Sequence, residues 1–200
     1  MTEMVSARFA APLVTLVTVA LLAGCGQSAT HRTGTSAPDP NAPEVNAPGD
    51  IPDNQVFVPF SPAEDRFTVK VPEGWARATD GAATVFTDKF NSVRVESLRR
   101  TQAPTVRTAT TEELPPLTSL PDYKPGSVDS VRRGAGEAVL ITYEAASAPD
   151  SVTGKTITDS VERYEFWHDG LEVILTLSGP KGADNVDPWR TVTDSLRWTR

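Results

Sequence analysis

No aromatic residue lies between Phe9 and Phe57, and 13 of the 14 aromatics follow that gap. Aromatic side chains bring the largest apolar area to a core, so a packed body has to be built from about residue 56 onward. The gap supports the same division. From Gly26 to Gln55 the only branched aliphatic residues are Val45 and Ile51, and prolines stand at 38, 40, 43, 48 and 52. Such a segment cannot bury enough apolar area to offset the entropy of ordering it. Residues 25–55 therefore read as a disordered stalk. Its Pro-Asp-Pro and Ala-Pro steps keep it locally extended, with an upper reach of roughly 90 Å. His31 stands alone in this stretch as a solvated side chain.

Ahead of the stalk, Phe9 to Ala23 carries no charge and leads into Leu22-Ala23-Gly24-Cys25. About 15 residues make a helix of about 22 Å, short of a roughly 30 Å hydrocarbon core. The run fits the apolar region of a signal peptide rather than a transmembrane helix. An aliphatic residue, two small residues and then the only cysteine of the chain resemble the bacterial lipobox. The resemblance implies a lipoprotein signal peptide over 1–24, cleavage between Gly24 and Cys25, and a diacylglycerol thioether on Cys25 with further palmitate-type acyl chains. At roughly 0.8 kcal/mol per buried CH₂, two or three chains hold a protein durably on a bilayer.

The expected location is therefore the cell membrane, on its extracytoplasmic face, with the lipid at Cys25 as the membrane partner. Cleavage would remove Arg8 and Glu3 together and leave the net charge of −7 unchanged. An acidic domain is repelled by an anionic membrane surface. The lipid, not the domain, makes the attachment. The 19 basic against 26 acidic residues also argue against a nucleic-acid partner. A single cysteine rules out a disulfide framework and multi-cysteine metal sites.

From Phe57 the pattern is mostly that of strands. Phe67 to Val71 alternates apolar and polar residues, and Pro72-Glu-Gly74-Trp75 turns a large aromatic back toward the core. Thr84–Thr87 and Val93–Leu98 predict two more strands, Val128–Arg133 and Glu137–Ala145 a further pair. Ile157–Trp167 and Leu171–Ser178 flank Asp169-Gly170, a dipeptide suited to a tight hairpin. Thr110 to Glu113 predicts a helix start with its acidic residues in the first turn, kept short by Pro115 and Pro116. Asp187 is the expected N-cap of a last helix, with Pro188 in its first turn and Trp189, Val192 and Leu196 on one face. The fold class is α+β, an antiparallel β-sheet packed by helices over residues 56–200.

The words Phe67-Thr-Val-Lys-Val-Pro72-Glu-Gly74-Trp75 and Asn91-Ser-Val-Arg-Val95 resemble the PsbP-like fold. The strand start near Gly136, the Asp169-Gly170 hairpin and a closing helix from Trp189 to Trp198 extend the match. Within that fold the chain is similar to actinobacterial lipoproteins of the LpqN/LpqT type. The resemblance implies an α/β/α sandwich and an envelope protein that binds another protein or a small apolar or glycan ligand. Fold alone does not carry an activity across.

Catalytic signatures are sparse. His168 with Asp169 falls at a hairpin tip, where a surface role is expected, and no Gly-x-Ser-x-Gly sequence occurs. Glu112 and Glu113 read as solvated at a helix start. Gly154-Lys155-Thr156 lacks the earlier glycine of a phosphate loop, because Pro149 stands there, and it precedes a strand. Asp150 and Asp159 lack the ligand pattern of a calcium loop. No metal, cofactor or catalytic residue is expected. Arg99-Arg100 and Arg132-Arg133 are the only basic pairs of the domain and are candidates for a binding surface, although charges at strand ends are ordinarily solvated. Trp75, Trp167 and Trp189 read mainly as core. Trp198, near the C-terminus, is the tryptophan expected to be partly exposed and available to a ligand.

The expected function is a non-enzymatic, lipid-anchored binding or interaction module of the cell envelope. The alternatives are a carboxylate-dependent envelope hydrolase or transferase, and an accessory subunit of a membrane complex. A buried acidic pair in a cleft would favour the hydrolase.

Overall fold

The computed structural model describes residues 47–62, 66–150 and 153–199. The signal peptide, the Cys25 site and most of the stalk lie outside them. Two antiparallel sheets form the body. The strands are β1 (Phe57–Phe60), β2 (Phe67–Pro72), β3 (Ala76–Asp80), β4 (Ala83–Asp88), β5 (Asn91–Arg99), β6 (Lys124–Arg133), β7 (Gly136–Ala146), β8 (Thr158–His168), β9 (Leu171–Pro180) and β10 (Arg197–Trp198). The large sheet has the order β3-β4-β5-β9-β8-β7-β6, and the small one β1-β2-β10. This is the expected α+β class.

The β8–β9 hairpin turns on Asp169 (φ 45°) and Gly170 (φ 80°), the positive angles its sequence called for. Opposite pairings such as Tyr164 with Leu175 and Phe166 with Val173 then follow from the register. One face of the large sheet presents Val93, Val95, Phe166, Val173, Leu175 and Leu177, all buried. Phe67, Val69 and Val71 of β2 cover them, together with Trp189 and Val192 of helix α3 (Val186–Asp194). Each such side chain contributes roughly 1.5–3 kcal/mol on burial. This face is the main core.

Two expectations about α3 need correction. Its N-cap is Asn185, not Asp187, which is exposed in the first turn. The Asn185 side chain does not cap the helix. It accepts from Ile51 N (2.8 Å) and donates to Asn91 Oδ1 (2.9 Å). The helix also stops at Asp194, so Leu196 lies beyond it, and Trp198 is in β10 beside Phe67. The backbone pairing of β10 with β2 displaces the extra helical turn.

Asn185 explains a third difference. Residues 47–55, expected in the stalk, pack onto the domain. Ile51 is buried in the core, Asn91 donates to Gly49 O (2.9 Å), and Asp184 N donates to Asp50 Oδ1 (2.9 Å). Ile51 is one of the two branched aliphatics in the proline-rich stretch, and one anchor with a buried amide bridge suffices to dock the segment.

The opposite face of the large sheet is covered by one helical stretch: α1 (Val106–Thr108), a π turn (Ala109–Glu113) and α2 (Leu114–Leu117). It starts at Thr105, whose side chain forms a capping box with Thr108, rather than at Thr110. Pro115 and Pro116 have no N–H to give to the carbonyls four residues back. Leu114 N instead reaches Ala109 O, which widens the turn before α2. Ala109, Leu114 and Leu117 pack on Val139, Ile141 and Tyr143. The sheet thus has helix on one side and a layer of small sheet plus α3 on the other. Among the described residues no helix is long and apolar enough to cross a membrane.

Candidate functional site

The start of α1, the β6–β7 turn, the end of β8 and β10 enclose an open groove of about 600 Å³. Trp167, His168 and Trp198 supply its aromatic lining, and Arg132, Glu137 and Glu165 its charged groups. The fold fixes each aromatic. Trp167 Nε1 donates to Arg100 O (2.8 Å) and Trp198 Nε1 to Ala135 O (3.3 Å). The imidazole of His168 stacks on the Trp198 ring with centroids 5.3 Å apart. Both indole N–H groups are therefore satisfied within the protein and His168 occupies one face of Trp198, so the groove offers ring surface rather than N–H donors.

Beneath the groove lies a cluster of charges just past β5, on β8 and β9 and in the π turn, in which Glu165 and Glu172 are buried and Arg100, Arg163 and Glu113 half-buried. Glu113 bridges two guanidiniums, accepting from Arg100 Nη2 (2.6 Å) and Arg163 Nη2 (3.3 Å). Arg163 Nε donates to Glu165 Oε1 (3.0 Å). Arg100 Nε lies 2.8 Å from Glu172 Oε2 as an ion pair, yet neither Glu172 oxygen has a hydrogen bond aligned on it. Three carboxylates thus face two guanidiniums.

The energetic consequence is a displaced titration. Burial pushes the Glu172 carboxyl up to about 7, with Arg100 opposing the shift and Glu165 and Glu113 adding to it. Burial also raises Glu165, against the attraction of Arg163. Arg100 is held more firmly protonated: burial works against its charge, but the bond to Glu113 and the attraction of Glu172, Glu113 and Glu165 outweigh it. Full ionisation would leave one uncompensated negative charge in the cluster. A proton on Glu172 removes it.

The structure separates the two basic pairs. Arg99 is exposed at its strand end, and Arg132 is exposed on the groove. Arg100 belongs to the buried cluster. Arg133 is on the core side, donating to Tyr164 Oη (2.8 Å) with its guanidinium 5.1 Å from the ring centre, while that hydroxyl donates to Glu162 (2.8 Å). The four arginines do not form a common basic surface. Alternation explains the split, because neighbouring residues of a strand point to opposite faces. Trp198 is half-buried on the groove, Trp189 is buried in the core, and Trp75 donates to Gln55 Oε1 (3.3 Å).

Glu113 is a correction. Expected to be solvated with Glu112, its side chain retains only 20% exposure, whereas Glu112 is exposed. The widened turn sets Glu113 toward the sheet, where the two guanidiniums hold it. Glu165, Glu172 and Arg163 are functional-site residues that no motif in the sequence marks. The signal was present: Arg163 and Glu165 interrupt the aromatic run of β8, and Glu172 stands inside the apolar run of β9. Among the described residues no group of three or more His, Cys, Asp or Glu is placed to hold a metal ion.

No family model matches the chain, and no curated protein does. Among solved structures, it is similar to one from Bacteroides thetaiotaomicron VPI-5482 at 14% identity and a TM-score of 0.45, covering 68% of this chain and 46% of that one. It is similar also to LpqN of Mycobacterium tuberculosis, which is involved in cell envelope biogenesis, at 13% identity and a TM-score of 0.44, covering 74% and 93% of the two chains. The Ran-binding protein Mog1p of Saccharomyces cerevisiae is matched at 11% identity and 0.43, covering 72% and 96%. The chain spans less than half the length of the first of these. At this level of likeness, function has to be read from the groove itself.

Proposed function

We propose that the protein is a lipid-anchored envelope protein whose folded domain binds a small ligand with an apolar or sugar-ring face, without catalysing a reaction on it. The anchor is supported by Leu22-Ala23-Gly24-Cys25. The observation that carries binding is the pair of ring faces at Trp167 and Trp198, whose N–H groups are both satisfied internally. Such rings interact through their faces, which suits flat or chain-like ligands. Native mass spectrometry of the full chain extracted gently from its own membranes tests this. The expected result is a bound mass in the wild type that is lost in Trp198→Ala. A clean apoprotein in both would contradict it.

A second reading has its own support. Glu165 and Glu172 are both buried, both raised in pKa, and Glu165 lines the groove. A carboxylic acid held in its protonated form, as Glu172 is up to about pH 7, is what acid catalysis of glycan hydrolysis uses. Turnover of an envelope polysaccharide by the wild type, abolished in both Glu165→Gln and Glu172→Gln, would establish this reading over simple binding.

A further inference from the structure

Resting on the reading of the groove as a ligand site, we infer that the group it recognises is a protonated primary amine, seated between the Trp198 and Trp167 ring faces and the free oxygen of Glu165. Glu165 is 1% exposed, and its Oε1 is held by Arg163, but its Oε2 is buried with no hydrogen-bond partner. A carboxylate oxygen in that condition carries a desolvation cost that an incoming donor offsets. The groove around it supplies acceptors of positive charge. Glu137 stands opposite Arg132 on the β6–β7 ladder and Glu165 is paired with Arg163 through Oε1, so the unmet acceptor is the Oε2 atom, in a chain that carries −7 overall. Aromatic faces with their N–H groups turned away attract a cation through the ring quadrupole. An ammonium has three donors, no acceptor and a compact positive charge. It satisfies the carboxylate and the rings together, which a neutral hydroxyl does only in part.

Isothermal titration of the full chain with two matched probe pairs tests the inference. Hexylammonium against 1-hexanol presents the amine on a chain; glucosamine against glucose presents it on a ring. The expected result is at least tenfold tighter binding of the amine in one pair or both, and the pair that shows it identifies the carrier. Glu165→Gln should reduce that preference to within twofold. Trp198→Leu, which keeps apolar volume but removes the ring, should weaken the amine severalfold more than its neutral partner, so the test stands even if Glu165→Gln does not fold. Equal affinity for the amine and its neutral partner, lost in Trp198→Ala, would overturn the amine and leave the groove as a ligand site. No binding of any probe overturns the amine as well, while a native adduct lost in Trp198→Ala would still support the groove. Absence of both would remove the two together.

Discussion

The two faces of the seven-stranded sheet are built from the same strands, and where β8 and β9 run they differ in chemistry, although the helix-covered face also carries the apolar cluster of Val139, Ile141 and Tyr143. One presents Val93, Phe166, Val173, Leu175 and Leu177 to β2 and α3, a dry contact in which each residue is satisfied by burial alone. The other places Arg100, Arg163, Glu165 and Glu172 side by side beneath the π turn. Alternation makes this possible: Tyr164 and Phe166 face the core while Arg163 and Glu165 face the cluster. Buried ion pairs contribute little net stability compared with well-packed apolar residues. The fold is held by the first face. The second carries charges that lie beside the groove lined by Glu165.

The contrast is sharpest in its response to mutation. Phe67 is wholly buried in the dry core, so Phe67→Ala should destabilise the protein by about 4 kcal/mol in urea denaturation. Arg163→Met leaves Glu165 without its guanidinium and should cost about 3 kcal/mol. If Arg163→Met proved neutral, the charges would be better solvated than their burial indicates.

The docked segment gives an intermediate case. Asn185→Ala removes the acceptor of Ile51 N and the partner of Asn91, and should cost about 2 kcal/mol. It should also increase proteolysis near residues 47–55.

The pH response separates the faces further. Glu172 is held at about 7 in the folded protein against an ordinary 4.5, so between these values the native state keeps a proton that the unfolded chain has released. Stability therefore falls as pH rises through that window, at up to about 1.4 kcal/mol per pH unit. Asp159, raised by burial to about 6 from 3.8, acts in the same direction at lower pH. Urea midpoints measured from pH 4 to 8 should show this decline, and Glu172→Gln should flatten its upper part. The smallest effect is expected at the surface. Arg66→Gln breaks an ion pair with Asp169, whose side chain is 76% exposed, and should change stability by less than about 0.5 kcal/mol.

The dry face was legible in the sequence, whereas the charged face left only the interruptions at Arg163, Glu165 and Glu172, for a physical reason. Phe67-Thr-Val-Lys-Val71 and the Asp169-Gly170 hairpin announce themselves because period-2 burial and positive φ each demand particular residue types. β3 shows no apolar alternation because all five of its residues, Ala76–Asp80, are exposed; backbone pairing, Arg77 over the Phe60 ring and the Asp80–Arg94 ion pair hold it. The docked segment depends on Asn185 and Asn91 meeting across 94 positions, which no local pattern encodes. At the site, Trp198 and Arg132 could be nominated from composition and position. Glu165 and Glu172 look like solvent-facing strand residues until the π turn is seen to cover them.

Ligand binding in the groove is tested most directly by following the four indole N–H signals by NMR while a small-molecule extract of the cell envelope is added to the purified chain. The signals of Trp167 and Trp198 should move together and saturably, while those of Trp75 and Trp189 remain in place. Movement at Trp75 or Trp189 alone, or no movement at any of the four, would contradict it.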